Sequence, residues 1–178
     1  MPTSSSIPAI QKFAALAIGK AAEIQWRPLH ILTGISSSVA ATLTPAGVEN
    51  AKGILTDQFW KDPTDPQWKD DPAFLEWVAF MDRYYPGGDE NDAFNVTGPS
   101  LAHSLVQVLK QCGDDLSREN IMKEAANLHH FRPPMPLPGI EINTGPTDFA
   151  PIKQIRLARF DGRRYQLFGP VISGQTPA

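Results

Sequence analysis

Apolar residues near the start of the chain recur at intervals of three and four. Between residues 10 and 24 they are Ile10, Phe13, Ala14, Ala17, Ile18, Ala21 and Ile24. Such positions fall on one side of an α-helix, because about 3.6 residues complete each turn. The spacing predicts an amphipathic helix that packs this apolar face against a core.

Two strands and a second helical segment are predicted next. The apolar segment "PLHILTGI" predicts a short buried strand that ends at Gly34. The serines at 36, 37 and 38 follow it, at the point where a helix over "VAATLTPAGVENA" would begin. Serine is common there because its hydroxyl accepts a hydrogen bond from a free helical N–H. The segment "GILTDQFW" predicts a second strand from its β-branched and aromatic residues.

Proline and glycine mark the later boundaries of the chain. Pro63 and Pro66 alternate with aspartates between residues 61 and 71, which predicts a rigid polar connector and a change of lobe near it. Pro72 suits the first turn of a helix, predicted to run to about residue 85. The pair Asp161 and Gly162, between two strand-like segments, predicts a closing β-hairpin.

The segment "VLKQCGDDLSRENIMKEAANLHH" combines the single cysteine with paired aspartates and histidines, and so suggests a reactive cluster. Cys112 continues an apolar stripe made of Leu101, Leu105, Val108 and Leu109, which predicts a buried thiol. Gly113 suits the end of that helix and Ser117 the start of the next. His129 and His130 would point about 100° apart on a helix, and no third residue completes a metal-ligand pattern. We interpret the segment as two helices joined by a turn.

Composition excludes several classes of function. The chain has 178 residues, 42% of them hydrophobic, and a formal net charge of -3. This length allows one domain or two small lobes, and the charge gives no electrostatic case for nucleic acid or an anionic membrane as partner. Sequence motifs for acyl transfer, phosphate binding, dinucleotide binding and zinc proteolysis are missing. We therefore expect no enzymatic activity, no cofactor and no bound metal.

Other features bear on cellular location and on ligand binding. The start "MPTSSSIPAI" has neither the basic nor the apolar part of an export signal, so none is predicted. The serine triplet has two interpretations that remain open. Its hydroxyls and the neighbouring N–H groups suit a bound carboxylate, and they suit a plain helix cap equally well.

Several long segments in one order carry a family resemblance. They are "KFAALAIGKAAEIQWRPLHIL", "PAGVENAKGILTDQFWKDPTDPQW", "DAFNVTGPSLAHSLVQVLKQCGDDLSRENIMKEAANL" and "LPGIEINTGPTDFAPIKQIRLARFDG". Over residues 12–169 the chain resembles the C-terminal half of the branched-chain-amino-acid-type substrate-binding proteins of bacterial ABC transporters, the Leu/Ile/Val-binding protein family. The resemblance implies an α/β class and a partial type I periplasmic binding protein fold, with helices on short, largely parallel sheets and a C-terminal β-hairpin.

The resemblance also implies a domain organisation and a ligand site. Residues 1–52 would belong to the second lobe, 53–60 to a crossover strand, 61–138 to the first lobe, and 139–178 to the second lobe again. Ligand contacts carry over to Ser36, Ser37, Ser38 and Phe94. In the family the loop after the strand that corresponds to "PLHIL" offers an acidic residue to the ligand's ammonium group. Here it offers only residues 33–35 and serines. We therefore expect a small carboxylate ligand, such as an amino acid or an aromatic or aliphatic acid, and an acid without a charged amine fits the serines better.

The implied function is that of an extracytoplasmic solute-binding component of an ABC transporter, or a fragment of one. Its partners would be the ligand and a membrane permease, and its location the periplasm. The alternative is a cytosolic ligand-sensing or regulatory domain of the same fold. Because the family's first half is missing, we also expect exposed apolar faces and a homo-oligomer that covers them.

Overall fold

The computed structural model describes residues 4–174, and its centre is a single mixed sheet of five strands. The strands, in sheet order, are β1 (Ser4–Ile7), β2 (Leu29–Leu32), β3 (Leu55–Gln58), β4 (Gln154–Phe160) and β5 (Tyr165–Ser173). β1, β2 and β3 are parallel, whereas β4 is antiparallel to both β3 and β5. The predicted α/β class and the closing hairpin are confirmed. β1 was not predicted, because "SSSI" carries little strand signal.

Helices connect the strands. α1 (Gln11–Glu23) joins β1 to β2, and the short α2 (Thr44–Ala46) and α3 (Val48–Ala51) precede β3. α4 (Pro72–Tyr84), α5 (Phe94–Cys112) and α6 (Arg118–Ala125) lie between β3 and β4. Short 3-10 turns cover Gly34–Ser36 and Pro66–Trp68, and a π-helical turn covers Val39–Leu43. All these bounds follow from the backbone hydrogen bonding.

The predicted helix boundaries are confirmed where the local chemistry is strong. Pro72 is the first residue of α4, and the carboxylate of Asp71 accepts a hydrogen bond from the N–H of Phe74 at 3.0 Å. Gly113 ends α5 with a φ of 58°, a conformation that glycine adopts without steric cost. The hydroxyl of Ser117 accepts from the N–H of Asn120 and caps α6.

α1 packs on one face of the sheet, but with a narrower surface than predicted. Ala14, Ala15, Ile18 and Ala21 are buried, whereas Ile10, Phe13, Ala17 and Ile24 are exposed. The core beneath α1 includes Ile7, Leu32, Leu43, Ile54, Ala158 and Phe160. The prediction of one wide buried face was wrong, because the described residues supply only one packed layer against which the helix can lie.

β2 is half-buried rather than buried, which corrects the prediction for "PLHILTGI". His30 and Leu32 point to the side that α1 covers, whereas Leu29 is 42% and Ile31 is 40% exposed on the other side. Strand register places Leu55 beside Ile31 and Phe168 beside Leu157. Parallel sheets are usually covered on both faces, so this open apolar face is unusual for an isolated chain.

The helices after β3 form two further clusters of buried side chains. Trp77, Met81, Val96 and Met135 make one, and Val108, Cys112, Leu128 and Ile142 make the other. Cys112 is therefore buried as predicted. Between β3 and β4 the described chain also forms isolated β-bridges, among them one from Trp60 to Pro136.

α5 buries a different row of residues from the predicted stripe. Val96, Ser100, Val108 and Cys112 are buried at spacings that are multiples of four. Ser100 can lie in this row because its hydroxyl donates to the carbonyl of Val96 at 2.9 Å. Three leucines of the predicted stripe lie on the solvent side: Leu101, Leu105 and Leu109 are 59%, 56% and 37% exposed.

Candidate functional site

A cavity of about 350 Å³ lies where β2 and β3 end. Its walls come from the loop after β2, from residues 57–62 at the end of β3 and just beyond it, and from the start of α5, and Gln11 and Ile152 complete the lining. The ends of β2 and β3 meet here because the two strands are parallel neighbours. In open α/β sheets, ligands commonly bind outside the carboxyl ends of the strands. The position therefore makes this cavity the candidate ligand site.

The structure brings two of the three predicted serines to the cavity. Ser37 and Ser38 line it, whereas Ser36 does not. Ser36 is fully buried behind the wall, and its hydroxyl donates to the carbonyl of Thr33 at 3.1 Å. The hydroxyl of Ser37 donates to the carbonyl of Gly34 at 2.8 Å. The hydroxyls of Ser36 and Ser37 thus donate to backbone carbonyls within the loop and stabilise its conformation.

Ser38 fits both roles considered for the serine triplet, that of a helix cap and that of a donor to a bound carboxylate. Its hydroxyl oxygen accepts from the N–H of Ala41 at 3.2 Å, which caps the π-helical turn. A hydroxyl that accepts one hydrogen bond keeps its own proton to donate. Ser38 is therefore a cap that also presents a donor at the cavity wall.

Phe94 contributes to the wall that comes from α5. It is the first residue of α5, is 53% exposed, and lines the cavity together with Thr97 and Leu101. These residues are three and four positions apart, so they lie on one side of the helix. With Ile35 they give the cavity a largely apolar interior.

Two acidic side chains of the site were not predicted from the sequence. Asp57 and Asp62 both line the cavity. The expectation that an amine would find no acidic partner considered only the loop after β2, whereas these carboxylates come from the neighbouring strand end. The signal was available in the sequence, because Asp57 lies at the end of the predicted strand "GILTDQFW".

Asp57 also holds the serine loop in place. Its Oδ1 accepts a hydrogen bond from the N–H of Gly34 at 2.9 Å. A Cβ atom on residue 34 would lie 2.9 Å from both the carbonyl oxygen and Oδ2 of Asp57. Glycine is needed here because the two chain segments approach so closely.

Asp62 and Lys61 define the electrostatics of the remaining wall. Burial raises the pKa of Asp62, and hydrogen bonds from the hydroxyl and N–H of Thr64, at 2.7 and 2.8 Å, partly offset that rise. The ammonium of Lys61 contacts Asp71 at 2.6 Å and lies 5.4 Å from the centre of the Trp68 ring. The positive charge of Lys61 is thus already paired with Asp71, and the cavity wall carries the acidic groups of Asp57 and Asp62.

The segment from 108 to 130 does not contribute to the cavity. Burial, followed by the charges of Glu124 and Asp115, raises the pKa of the Cys112 thiol, which disfavours a reactive thiolate. His130 pairs with Glu141 at 2.6 Å. Within residues 4–174 no three His, Cys, Asp or Glu side chains come together as a metal-binding group.

Among the helices described, none has the length and apolar character to cross a membrane. Comparison with known proteins gives no match to a protein-family model and none to a curated protein. Solved structures do match the fold. A branched-chain amino acid ABC transporter protein from Thermus thermophilus, with bound valine, superposes with a TM-score of 0.80 and 14% identity, over 96% of this chain and 46% of that one.

Two further structures agree with this match. An ABC transporter substrate-binding protein from Aeropyrum pernix gives a TM-score of 0.76 at 11% identity, over 98% of this chain and 45% of that one. A possible leucine/isoleucine/valine-binding protein from Rhodopirellula baltica gives 0.73 at 18% identity, over 94% of this chain and 43% of that one. The chain therefore spans less than half the length of these proteins, and it has the partial type I periplasmic binding protein fold that its sequence resembles.

Proposed function

We propose that this chain is part of a solute-binding component of an ABC transporter and binds a small carboxylate with an apolar body. The observation that carries the proposal is the cavity at the ends of β2 and β3, with a hydroxyl donor, apolar walls and carboxylates. The solved structures support the proposal, since the Aeropyrum pernix protein is a substrate-binding protein of an ABC transporter and the Thermus thermophilus structure holds valine. Such a role involves binding without chemical transformation of the ligand.

The walls favour an amino acid over an acid that lacks an amine. Ser38 would donate to the ligand carboxylate, and Phe94 and Ile35 would contact its apolar side chain. Asp57 would accept from the ammonium group. An aliphatic or aromatic acid without that group would bury the carboxylate of Asp57 beside a second negative charge, which is costly. This reasoning reverses the ligand preference expected from the serine loop alone.

The test compares valine with 3-methylbutanoate, which is valine without its amine. We expect chemical-shift changes at residues lining the cavity to saturate with valine and to be weaker with the acid. Ser38→Ala should weaken valine binding by about 1.5–3 kcal/mol, the scale of a hydrogen bond to a charged group. Asp57→Asn should remove the preference for valine. Ser104→Ala, a serine outside the cavity, is the matched control. Equal binding of both ligands by the unmodified chain would contradict the assignment of Asp57.

We further propose the lobe organisation that the family resemblance implies. Residues 1–52 and 139–178 would form the second lobe, of which 1–3 and 175–178 lie outside the described residues. Residues 53–60 would be the crossover and 61–138 part of the first lobe. The separate buried cluster of Trp77, Met81, Val96 and Met135 supports this division. A membrane permease would be the partner of the complete component, and the periplasm its location.

We also propose that the chain alone forms a homo-oligomer. The leucine row of α5, Leu101, Leu105 and Leu109, and the open sheet face that carries Leu29 and Ile31 are both exposed. Apolar surface of this kind is usually covered in a stable soluble protein. A second copy of the chain would offer the same surfaces in return, as in a two-fold symmetric dimer.

A further inference from the structure

A second cavity, of about 260 Å³, lies at the opposite end of the parallel strands. It is lined by the segment between α1 and β2, by the start of β2, by α3 and the turn that precedes β3, and by Ile18 and Ala22 of α1. It shares no lining residue with the candidate ligand site, because the two cavities lie at the beginnings and at the ends of β2 and β3. A ligand in this cavity would therefore contact none of the residues that line the candidate ligand site.

His30 is the buried polar residue of this second cavity. Its side chain lines the cavity and is only 7% exposed. Nδ1 is sealed from solvent and has no hydrogen-bond partner in the described part of the chain. The Trp26 ring meets the imidazole edge to face, with centroids 6.3 Å apart, which restricts the imidazole orientation.

The single N–H of the neutral His30 imidazole is better placed on Nε2 than on Nδ1. Burial lowers the pKa of His30, which favours the neutral imidazole with a single N–H. A buried N–H without a partner is costly and rare in folded proteins. Since Nδ1 is sealed without a partner, Nε2 is the better position for that N–H. The cavity thus receives a hydrogen-bond donor that nothing within residues 4–174 accepts.

The charges around the cavity are mostly positive. Arg27 and Lys52 line it, and both side chains are exposed and form no ion pair with any described residue. Glu49 is the acidic residue of the lining, and the carboxamide nitrogen of Asn50 donates to the carbonyl of Ala46 at 2.9 Å. Two cations and one imidazole N–H therefore face a space with a single carboxylate.

We propose that this second cavity binds a small oxyanion, with the imidazole of His30 as a buried donor and Arg27 and Lys52 as its cationic partners. Phosphate and carboxylate share the required chemistry, since both present oxygen acceptors and negative charge. A guanidinium binds either group through two parallel N–H bonds, whereas an ammonium acts as a point charge. A neutral or cationic ligand would leave both cations without a partner.

The experiment is a titration of the intact chain with inorganic phosphate, followed by NMR of the histidine rings. A parallel titration with acetate distinguishes a carboxylate from a phosphate preference, and chloride at matched ionic strength measures the salt effect. We expect the His30 signals to shift and saturate with one oxyanion and to respond little to chloride. The same oxyanion should raise the pKa of His30, because a bound anion favours the imidazolium.

Substitutions distinguish a specific anion site from non-specific electrostatic attraction. Arg27→Gln and Lys52→Gln should each weaken binding by up to about fivefold, the scale of an ion pair formed by an exposed side chain. Lys110→Gln, which removes an exposed lysine of α5, should leave binding unchanged. His30→Gln should retain part of the affinity through its amide N–H, whereas His30→Leu should lose it. If His30→Leu fails to fold, Arg27→Gln still decides the matter because its side chain is exposed. Shifts that do not saturate, that chloride reproduces, or that survive both cation substitutions would overturn the proposal.

Discussion

Replacing Gly34 with alanine adds one carbon atom, the Cβ, at the contact between the serine loop and β3. That carbon would lie 2.9 Å from the backbone carbonyl oxygen of Asp57 and 2.9 Å from its Oδ2. The carboxylate could rotate away, but the carbonyl belongs to a strand that is paired with β4 and cannot easily move. The loop must therefore shift, which weakens the 2.9 Å hydrogen bond from the N–H of residue 34 to Oδ1.

The magnitude follows from two opposing effects. Inserting an atom into a packed contact costs about 1–3 kcal/mol. The more restricted unfolded chain of an alanine variant offsets about 0.4–1 kcal/mol of that cost. We therefore expect Gly34→Ala to lower the free energy of unfolding by about 1–2 kcal/mol and to weaken binding of valine in the cavity, because Ser37 and Ser38 move with the loop.

Urea unfolding measures the effect, with Gly19→Ala as the matched control. Gly19 lies within α1, and no atom approaches its added Cβ within 4 Å. That variant should gain about 0.5–1 kcal/mol, since alanine is the better helix former. If Gly34→Ala were as stable as the unmodified chain while Gly19→Ala gained stability, the close contact between the serine loop and Asp57 would be refuted.

Hydrogen bonds from the N–H of Arg164, from Gln166 and from the N–H of Arg163 hold the pKa of Asp161 at about 2. Because this lies below the unfolded value of 3.8, Asp161 stabilises the fold above that pH and loses the effect as pH falls towards 2. Asp161→Asn should accordingly show a flatter stability profile over this range in acid titrations followed by circular dichroism. The buried Cys112 should react slowly with a thiol reagent in the native state and fast in urea, and equal rates would contradict its burial. Leu105→Glu should shift sedimentation towards the monomer if the leucine row of α5 forms the proposed oligomer interface, and a Leu116→Glu control, at another exposed leucine, should not.

Local chemistry explains which elements the sequence predicts well. The hairpin around Asp161, the cap at Ser117 and the end of α5 at Gly113 depend on residues within a few positions of one another. Strand pairing and facing depend on distant residues. The sequence could not reveal that α5 buries its serine-containing row, since leucines at the same spacing gave the stronger apolar signal. For Asp57 the sequence shows a carboxylate at a strand end, but its contact with the serine loop depends on the pairing of β2 with β3, which no single segment specifies.

The pairing of β3 with β4 has a consequence for biosynthesis. Leu55 pairs with Arg159, so the partner of β3 leaves the ribosome only after all of α4, α5 and α6. Until then the exposed edge of β3 offers free N–H and C=O groups to any other nascent chain. Such distant pairing slows folding, because the closure of a long loop precedes the contacts that stabilise it. The closing hairpin has a turn of its own and can fold locally, so its docking onto β3 is the step at which a chaperone would have most effect.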